Sequence, residues 1–380
     1  MNKTFFSECR YILLLWLTQA LSNLGSAMTN FALVVWSYSQ YGSALTTALL
    51  TVCAYAPYVV LSIFAGALSD RWNKKRTMLV CDALAALCTV GVLGLLVTGN
   101  LRIWHLYLNN ALNGLMNTVQ QPASEVAVTL LTPREHYQRM GGLQAFSHSL
   151  VSLLTPALAT ALYTLVGLEA VIFFDLGTFA LAAVCLLFFI PIPETKEGKE
   201  KPEPILAAAK GGLAYLRDNR GVLDLILFLA VINLTASMFE AALPALLIPK
   251  GGERVLGFVQ TATGVASLVG GALAVALPKP KSRVRAICNS LLFSMSTENF
   301  LLAFGRTPLV WCVGAVLGWL FIPVMNASMG SLFRETIPPE MQGRVYSARN
   351  TLQFFTIPVG YLLGGWLVDS VCEPLMAGLK

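Results

Sequence analysis

The stretch Gly66-Ala-Leu-Ser-Asp70-Arg71-Trp-Asn73-Lys74-Lys75-Arg76 places an aspartate and four basic residues between two long apolar segments. Apolar residues precede it from about position 43 and follow it to about position 98. Short loops rich in lysine and arginine lie on the cytoplasmic side of membrane proteins. The stretch therefore predicts a tight cytoplasmic connection between two membrane-spanning helices, and the rest of the chain can be read outward from it.

The composition supports this interpretation. Of 380 residues, 56% are hydrophobic and only 12% are charged, and the mean hydropathy is +0.66. Soluble domains carry about 25% charged residues. Apolar segments of about 20 residues, long enough to cross a bilayer as helices, recur along the chain. We therefore predict an all-α polytopic membrane protein with about eleven spans, near residues 11–36, 43–68, 77–98, 103–130, 140–165, 168–190, 221–247, 256–277, 284–304, 308–332 and 343–368.

A charged, proline-rich stretch that starts at Pro193 divides the spans into six and five. We predict an N-terminal six-helix half at 1–192, a cytoplasmic linker at 193–220 and a C-terminal half at 221–380. The second part of the linker, 205–216, is expected to form an amphipathic helix on the membrane surface. A related motif pair, Leu131-Thr-Pro-Arg-Glu135 and Thr336-Ile-Pro-Pro-Glu340, predicts two repeated halves. On that pattern a twelfth span is expected after residue 370 and is missing from this sequence.

Lysines and arginines set the orientation. With the N-terminus in the cytoplasm, the cytoplasmic segments hold most of the 26 basic residues. The net charge of +6 is then a consequence of topology, and no nucleic-acid partner is needed to explain it. The basic residues on the opposite side are Arg102, Lys250, Arg254, Arg306 and Lys380.

The stretch 66–76 resembles the signature loop of the major facilitator superfamily. The matching positions are Gly66, Leu68, Asp70, Arg71, Lys74, Lys75 and Arg76, whereas Asn73 replaces the usual glycine. Asparagine tolerates a left-handed backbone better than most residues, so the turn is expected to survive. The segments Met140-Gly-Gly-Leu143, Phe173–Phe179 and Gln342–Ser347 resemble the macrolide-efflux branch, which is similar to the enterobactin exporters. The resemblance covers essentially the whole chain and implies two six-helix halves around a central cavity.

We expect the loop to act in gating. Asp70 could meet a helix N-terminus or an arginine when the cytoplasmic face closes. Alternatively, the basic run only fixes topology. The gating candidates are Gly66, Asp70, Arg71, Lys74 and Arg76.

Polar side chains recur every fourth residue in the fourth span, where they share one face of a helix. An unpaired amide facing lipid costs a few kcal/mol, so this face should meet water or other helices. The first and fourth helices of each half line the cavity, as the resemblance implies. The cavity-lining candidates are Gln19, Asn23, Ser26, Asn30, Asn109, Asn113, Asn117, Asn233 and Ser237. The alternative is hydrogen bonding between helices, worth about 0.6 kcal/mol per contact. Neutral amides suit an amphipathic ligand better than a phosphorylated sugar.

Acids within spans are candidates for function. We predict Glu240 as the first proton-coupling residue, with Asp175 and Glu125 behind it, although a buried acid can also serve packing alone. Asp82 is interpreted as structural, because it lies two turns after the loop and could pair with Arg76 or Arg71.

These patterns predict a transporter that exports amphipathic small molecules such as macrolides across the bacterial cytoplasmic membrane by alternating access. Proton antiport would drive it, with no cofactor and no bound metal, and the chain would act as a monomer. Export of a siderophore or a lysolipid, coupling to sodium or to no ion at all, a dimer, and a non-transporting sensor or scaffold remain open. An enzyme is not predicted, because the pair His148 and Ser152 has no third catalytic partner in the sequence.

Overall fold

A computed structural model describes residues 9–133, 137–193, 205–278 and 280–378, and within helices it leaves some side chains undescribed, those of residues 62–71 among them. The described chain is helical with no strand in these ranges. Seven described helical stretches are long and apolar enough to cross a bilayer, with 220–274 counted as one. The chain is therefore an all-α, multi-pass membrane protein, and the number of spans stays a prediction.

The described part of the N-terminal half contains six long helices. Each corresponds to one predicted span, and α6 continues as a π-helical turn at Cys185–Phe189. The helices are α1 (Arg10–Tyr41), α2 (Ala44–Arg71), α3 (Lys74–Val97), α4 (Ile103–Leu131), α5 (Tyr137–Leu165) and α6 (Leu168–Val184).

The C-terminal half follows a short helix, α7 (Ile205–Asp218), which lies where the sequence predicts a surface helix. Leu216 of α7 is buried in an apolar cluster with Phe333 and Val345, so this helix packs on the C-terminal half. The remaining helices are α8 (Arg220–Ala276), α9 (Arg283–Phe304), α10 (Pro308–Trp319), α11 (Ile322–Thr336), α12 (Pro339–Phe354), α13 (Thr356–Leu367) and α14 (Glu373–Gly378), with a π-helical turn at Val368–Cys372 before α14.

Glycine and proline explain why some predicted spans differ from the observed helices. Gly252 has a φ of 74°, so α8 is in fact two helices that meet at a kink between the predicted seventh and eighth spans. Proline removes a backbone N–H and its ring clashes with the carbonyl four residues earlier. Pro323 and Pro358 therefore account for the breaks between α10 and α11 and between α12 and α13, each within one predicted span.

The expected left-handed turn at Asn73 is wrong. Asn73 has φ −63° and ψ 116°, which is extended backbone, and no described residue other than glycine has a positive φ. Its side chain instead accepts a hydrogen bond of 3.0 Å from the backbone N–H of Arg76. Asparagine is among the best residues for capping a helix N-terminus. Asn73 thus starts α3 by capping it rather than by adopting a glycine-like conformation.

The two halves meet tightly at one end, which we call the sealed end. Val35 of α1 is buried there in one apolar cluster with Leu247, Leu256 and Trp311 of the C-terminal half. The hydroxyl of Ser39 also donates a hydrogen bond of 2.6 Å to Glu253. These contacts connect the halves at the end where α1 finishes and where α8 kinks.

Glycines allow the halves to approach each other along two helix pairs. A Cβ at Gly257 of α8 would lie 2.1 Å from the side chain of Thr160 in α5, and one at Gly264 would lie 2.5 Å from the backbone of Leu153. In the second helix pair, a Cβ at Gly365 of α13 would lie 2.6 Å from the backbone of Leu45 in α2. Small residues permit this close backbone contact between helices in a membrane.

Candidate functional site

A cavity of about 390 Å³ lies between the two halves near the middle of the bundle. Helices α1, α2 and α4 supply most of its wall, and the C-terminal half contributes an apolar side from the α12–α13 break. Its lining residues are Asn30, Ala54, Tyr55, Tyr58, Asn110, Asn113, Gly114, Asn117, Thr118, Gln121, Phe354 and Ile357.

The exposure of the lining helices shows where the cavity opens. On α1, Asn23 and Asn30 are exposed, whereas Val35 near the sealed end is buried. On α4, which runs in the opposite direction, Asn117 is exposed and Asn109 is only 7% exposed. Exposure therefore increases away from the sealed end, and we call the opposite end of the cavity the open end.

Part of the predicted polar stripe lines this cavity. Asn30, Asn113 and Asn117 all belong to its wall. Asn113 also donates a hydrogen bond of 3.1 Å to the side-chain oxygen of Asn109. Asn109 in turn donates to Asn110, whose amide reaches the backbone carbonyl of Leu50 in α2 at 3.0 Å. The stripe thus serves two purposes, since its cavity face meets solvent while its buried end ties α4 to α2.

The other predicted lining residues do not belong to the wall of this cavity. Asn233 donates to the backbone carbonyl of Gln353 at 3.2 Å, and Ser237 is 6% exposed and packs against Gly360. Both therefore contact α12 and α13 within their own half. Gln19 is partly buried, while Asn23 and Ser26 are exposed on α1 between Gln19 and Asn30.

The three predicted proton-coupling acids occupy different environments. Asp175 is only 5% exposed and accepts a hydrogen bond of 3.0 Å from the hydroxyl of Ser26, so it joins α6 to the polar face of α1. Glu240 is partly buried and lies near the side-chain amide of Gln260 within the C-terminal half. Glu125 is exposed at the open end.

Glu298 of α9 is a further acid whose carboxylate is closely surrounded by its neighbours. Trp319 donates a hydrogen bond of 3.2 Å to Glu298, and a Cβ at Gly318 would lie 2.5 Å from the same carboxylate. A side chain at position 318 would therefore displace Glu298. The sequence marks Glu298 only as an acid within a span, because the indole donor lies 21 residues away on another helix.

The residues of the gating loop fall into two groups. Gly66, Asp70 and Arg71 belong to the last turns of α2, and their side chains lie outside the described residues. Lys74 is 8% exposed and donates to the backbone carbonyl of Trp72, whereas the side chain of Arg76 is exposed. The structure therefore leaves the predicted role of Asp70 as a prediction.

The predicted pairing of Asp82 with Arg76 is wrong. Asp82 is 8% exposed, whereas Arg76 points to the exterior, and the described hydrogen bond to Asp82 comes from Gln120 of α4 at 2.6 Å. Arg71, the other predicted partner, has no described side chain. The two-turn spacing along the helix suggested an arginine, but the buried face of α3 points at α4 instead.

Some cavity residues were not predicted. Tyr55 and Tyr58, three residues apart on α2, bring aromatic rings with hydroxyl groups to the cavity wall beside α4. Their spacing puts them on one helix face, which is the signal that could have revealed them. Phe354 and Ile357 reach the cavity because the helix is interrupted at Phe355. In the sequence, Pro358 is the signal for this interruption.

A second, larger cavity of about 730 Å³ lies at the sealed end. It lies by the connection between α5 and α6 and by the kink of α8, and its lining includes Gly167, Gly252 and Arg254. The polar stripes of α1 and α4 do not reach it. We therefore take the smaller, amide-lined cavity as the functional site.

A helical membrane protein of two halves around a polar cavity that opens to one end has the architecture of a transporter. The chain belongs to the Major Facilitator Superfamily, whose family pattern matches residues 15–361. It is thus a transporter and not an enzyme.

Individual relatives agree with this assignment. The chain is 23% identical over 363 residues to macrolide efflux protein A of Streptococcus pyogenes, with 94% of this chain and 89% of that protein covered. It is 22% identical to the multidrug efflux pump Tap of Mycolicibacterium fortuitum, with 83% and 78% covered. Among solved structures, a point mutant of the nucleoside transporter NupG superimposes with a TM-score of 0.70 at 13% identity, covering 93% of this chain and 90% of that one. That likeness concerns the fold.

Proposed function

We propose that this protein exports amphipathic small molecules, macrolide-like drugs above all, across the bacterial cytoplasmic membrane. The observation that carries the proposal is the cavity wall, which combines the amides of Asn30, Asn113 and Asn117 with the rings of Tyr55 and Phe354. Amphipathic ligands are bound by mostly apolar sites with a few placed polar groups. The names of the relatives, macrolide efflux protein and multidrug efflux pump, point to the same ligand class.

Transport by alternating access is part of the proposal. The open end of the cavity would face the cytoplasm, the sealed end would face the exterior, and the N-terminus would lie in the cytoplasm. Rocking of one half against the other would break the contacts at the sealed end and expose the cavity to the outside. The chain would act as a monomer, since the cavity is built within one chain.

Proton antiport would supply the energy, and no cofactor would be needed. Glu240 is the first candidate for the coupling group because it lies within α8, near the neutral amide of Gln260. Asp175 is the second, since its bond to Ser26 connects it to α1, which lines the cavity. Glu125 is the third, at the open end.

Reconstituted vesicles test this proposal. We expect a pH gradient to drive uptake of radiolabelled erythromycin by the wild-type protein and expect Glu240→Gln to abolish the effect of the gradient. The control is Glu373→Gln, which changes an exposed acid at the sealed end. Unchanged gradient-driven uptake in Glu240→Gln would move the coupling role to Asp175 or Glu125, and no uptake by the wild type would contradict macrolide transport.

A further inference from the structure

Asp82 occupies a polar pocket between three helices of the N-terminal half. It lies in α3 and is 8% exposed, and Gln120 of α4 donates a hydrogen bond of 2.6 Å to its Oδ1 atom. Its second oxygen, Oδ2, is buried and accepts no described hydrogen bond. The carboxyl group is therefore satisfied on one side only.

Two side-chain donors on α1 are also buried without a described hydrogen-bond partner. The side-chain nitrogen of Gln19 is buried without an acceptor, although Gln19 faces the carboxyl group of Asp82. The indole nitrogen of Trp16 is also buried without a described acceptor. Trp16 and Gln19 are three residues apart and share a helix face. The free oxygen of Asp82 and the amide nitrogen of Gln19 thus lie on neighbouring helices without completing a hydrogen bond.

The described surroundings of Asp82 contain no compensating positive charge. Its neighbour Cys81 carries a thiol, which is no cation. From α6 and its π-helical turn, Asp175 is bonded to Ser26 and Cys185 lies in an apolar cluster, and from α4 the acid Glu125 is exposed. An ionised carboxylate buried without a cation is strongly disfavoured, and such a group takes up a proton instead.

We propose that Asp82 is a proton-binding group of the N-terminal half, neutral in the present conformation and ionised when Gln19 moves to donate to its free oxygen. Two amide donors, from Gln19 and Gln120, would then stabilise the negative charge. Because Gln19 belongs to α1, release of the proton would be linked to a shift of α1 against α3. The same helix carries Asn23, Ser26 and Asn30, so the shift would reach the cavity wall.

The role of this group in transport rests on the proposed proton coupling, but its protonation can be measured without any substrate. The protein would be purified, reconstituted in lipid and examined by infrared difference spectroscopy between acidic and alkaline pH. Wild type should lose a band of the protonated carboxyl group as the pH rises, and that part of the band should be absent from Asp82→Asn. Glu169→Gln, which changes an exposed acid at the start of α6, should leave the spectrum of this band intact.

A second variant keeps the test decisive if Asp82→Asn folds poorly. Gln19→Leu removes the donor that the ionised form needs, so its band should persist to a higher pH than in wild type. An unchanged transition in Gln19→Leu, or a wild-type spectrum that Asp82→Asn reproduces in full, would overturn the proposal. If the protein shows these band changes but transports no erythromycin, the proton site is supported. Only the proposed macrolide export is then contradicted.

Discussion

Asp369, in the π-helical turn that follows α13, caps the N-terminus of α2 in the opposite half. Its carboxylate accepts hydrogen bonds from the backbone N–H of Ala44 at 2.9 Å and of Leu45 at 3.0 Å. The hydroxyl of Ser43 donates to the same carboxylate at 2.6 Å. A negative charge at a helix N-terminus is favourable because the helix dipole is positive there. The contact connects the two halves at the sealed end and would be lost if that end opened.

The first prediction concerns this contact. Asp369→Asn removes the charge while it keeps the shape, and losing charge-assisted bonds of this kind costs about 1.5 kcal/mol or more. We expect the sealed end to open roughly ten times more often, since about 1.4 kcal/mol corresponds to a factor of ten. The measurement is the rate of maleimide labelling at Val35→Cys, with the exposed Cys288 and Cys372 replaced by serine. Glu373→Gln is the control and should label at the unmodified rate, whereas equal rates in all variants would show that Asp369 does not hold this end closed.

The second prediction tests the packing between α2 and α4. A Cβ at Gly114 would lie 2.1 Å from the backbone carbonyl oxygen of Ala54, so Gly114→Ala forces the two helices apart. Overpacking of this kind costs about 1–3 kcal/mol. Gly114→Ala should lower the midpoint of thermal unfolding in detergent. The control is Gly91→Ala in α3, where an added Cβ meets nothing within 4 Å and should be tolerated.

The third prediction separates the two basic residues that follow Lys74. The ammonium group of Lys75 donates to the backbone carbonyls of Leu187 at 3.0 Å and Ile190 at 2.9 Å, where α6 ends. A cation at a helix C-terminus contributes about 0.3–1 kcal/mol. Lys75→Met should therefore lower thermal stability by a small, measurable amount. Arg76→Met removes the same charge from an exposed side chain. An equal loss of thermal stability in both variants would mean that the bonds from Lys75 to α6 do not stabilise the protein.

The fourth prediction concerns the cavity wall. Asn117 is exposed and lines the cavity. Its replacement by leucine removes one amide that could bind the ligand, and a hydrogen bond of this kind is worth about 0.5–1.5 kcal/mol. We expect Asn117→Leu to raise the KM for erythromycin export roughly threefold to tenfold. Thr129→Val, on an exposed face of α4 outside the cavity wall, should leave the KM unchanged.

The sequence predicts most of the helices because hydrophobic length is a direct requirement of the bilayer. Each predicted span has a helical counterpart, and the described breaks lie at Pro323 and Pro358, with a kink at Gly252. The periodicity of the fourth span also predicts that Asn113 and Asn117 share a helix face, and both residues line the cavity in the structure. These features depend on local sequence alone.

Contacts between distant helices could not be predicted in this way. Gln120 is a polar residue within the fourth span, but the sequence does not indicate that its acceptor is Asp82, 38 residues away on α3. Likewise, the bond between Ser26 and Asp175 spans 149 residues. Asn73 shows a different limit, since the residue type fitted two conformations and the helix that follows it selected the capping one.

The central claim, drug export through the amide-lined cavity, is tested most directly by drug accumulation in cells. Radiolabelled erythromycin would be measured in a pump-deficient bacterial strain that expresses the protein, with and without a protonophore. The account predicts lower accumulation than in cells without the protein, and the protonophore should restore accumulation to the control level. Equal accumulation with and without the protein would contradict macrolide export, and lower accumulation that the protonophore leaves unchanged would contradict coupling to the proton gradient.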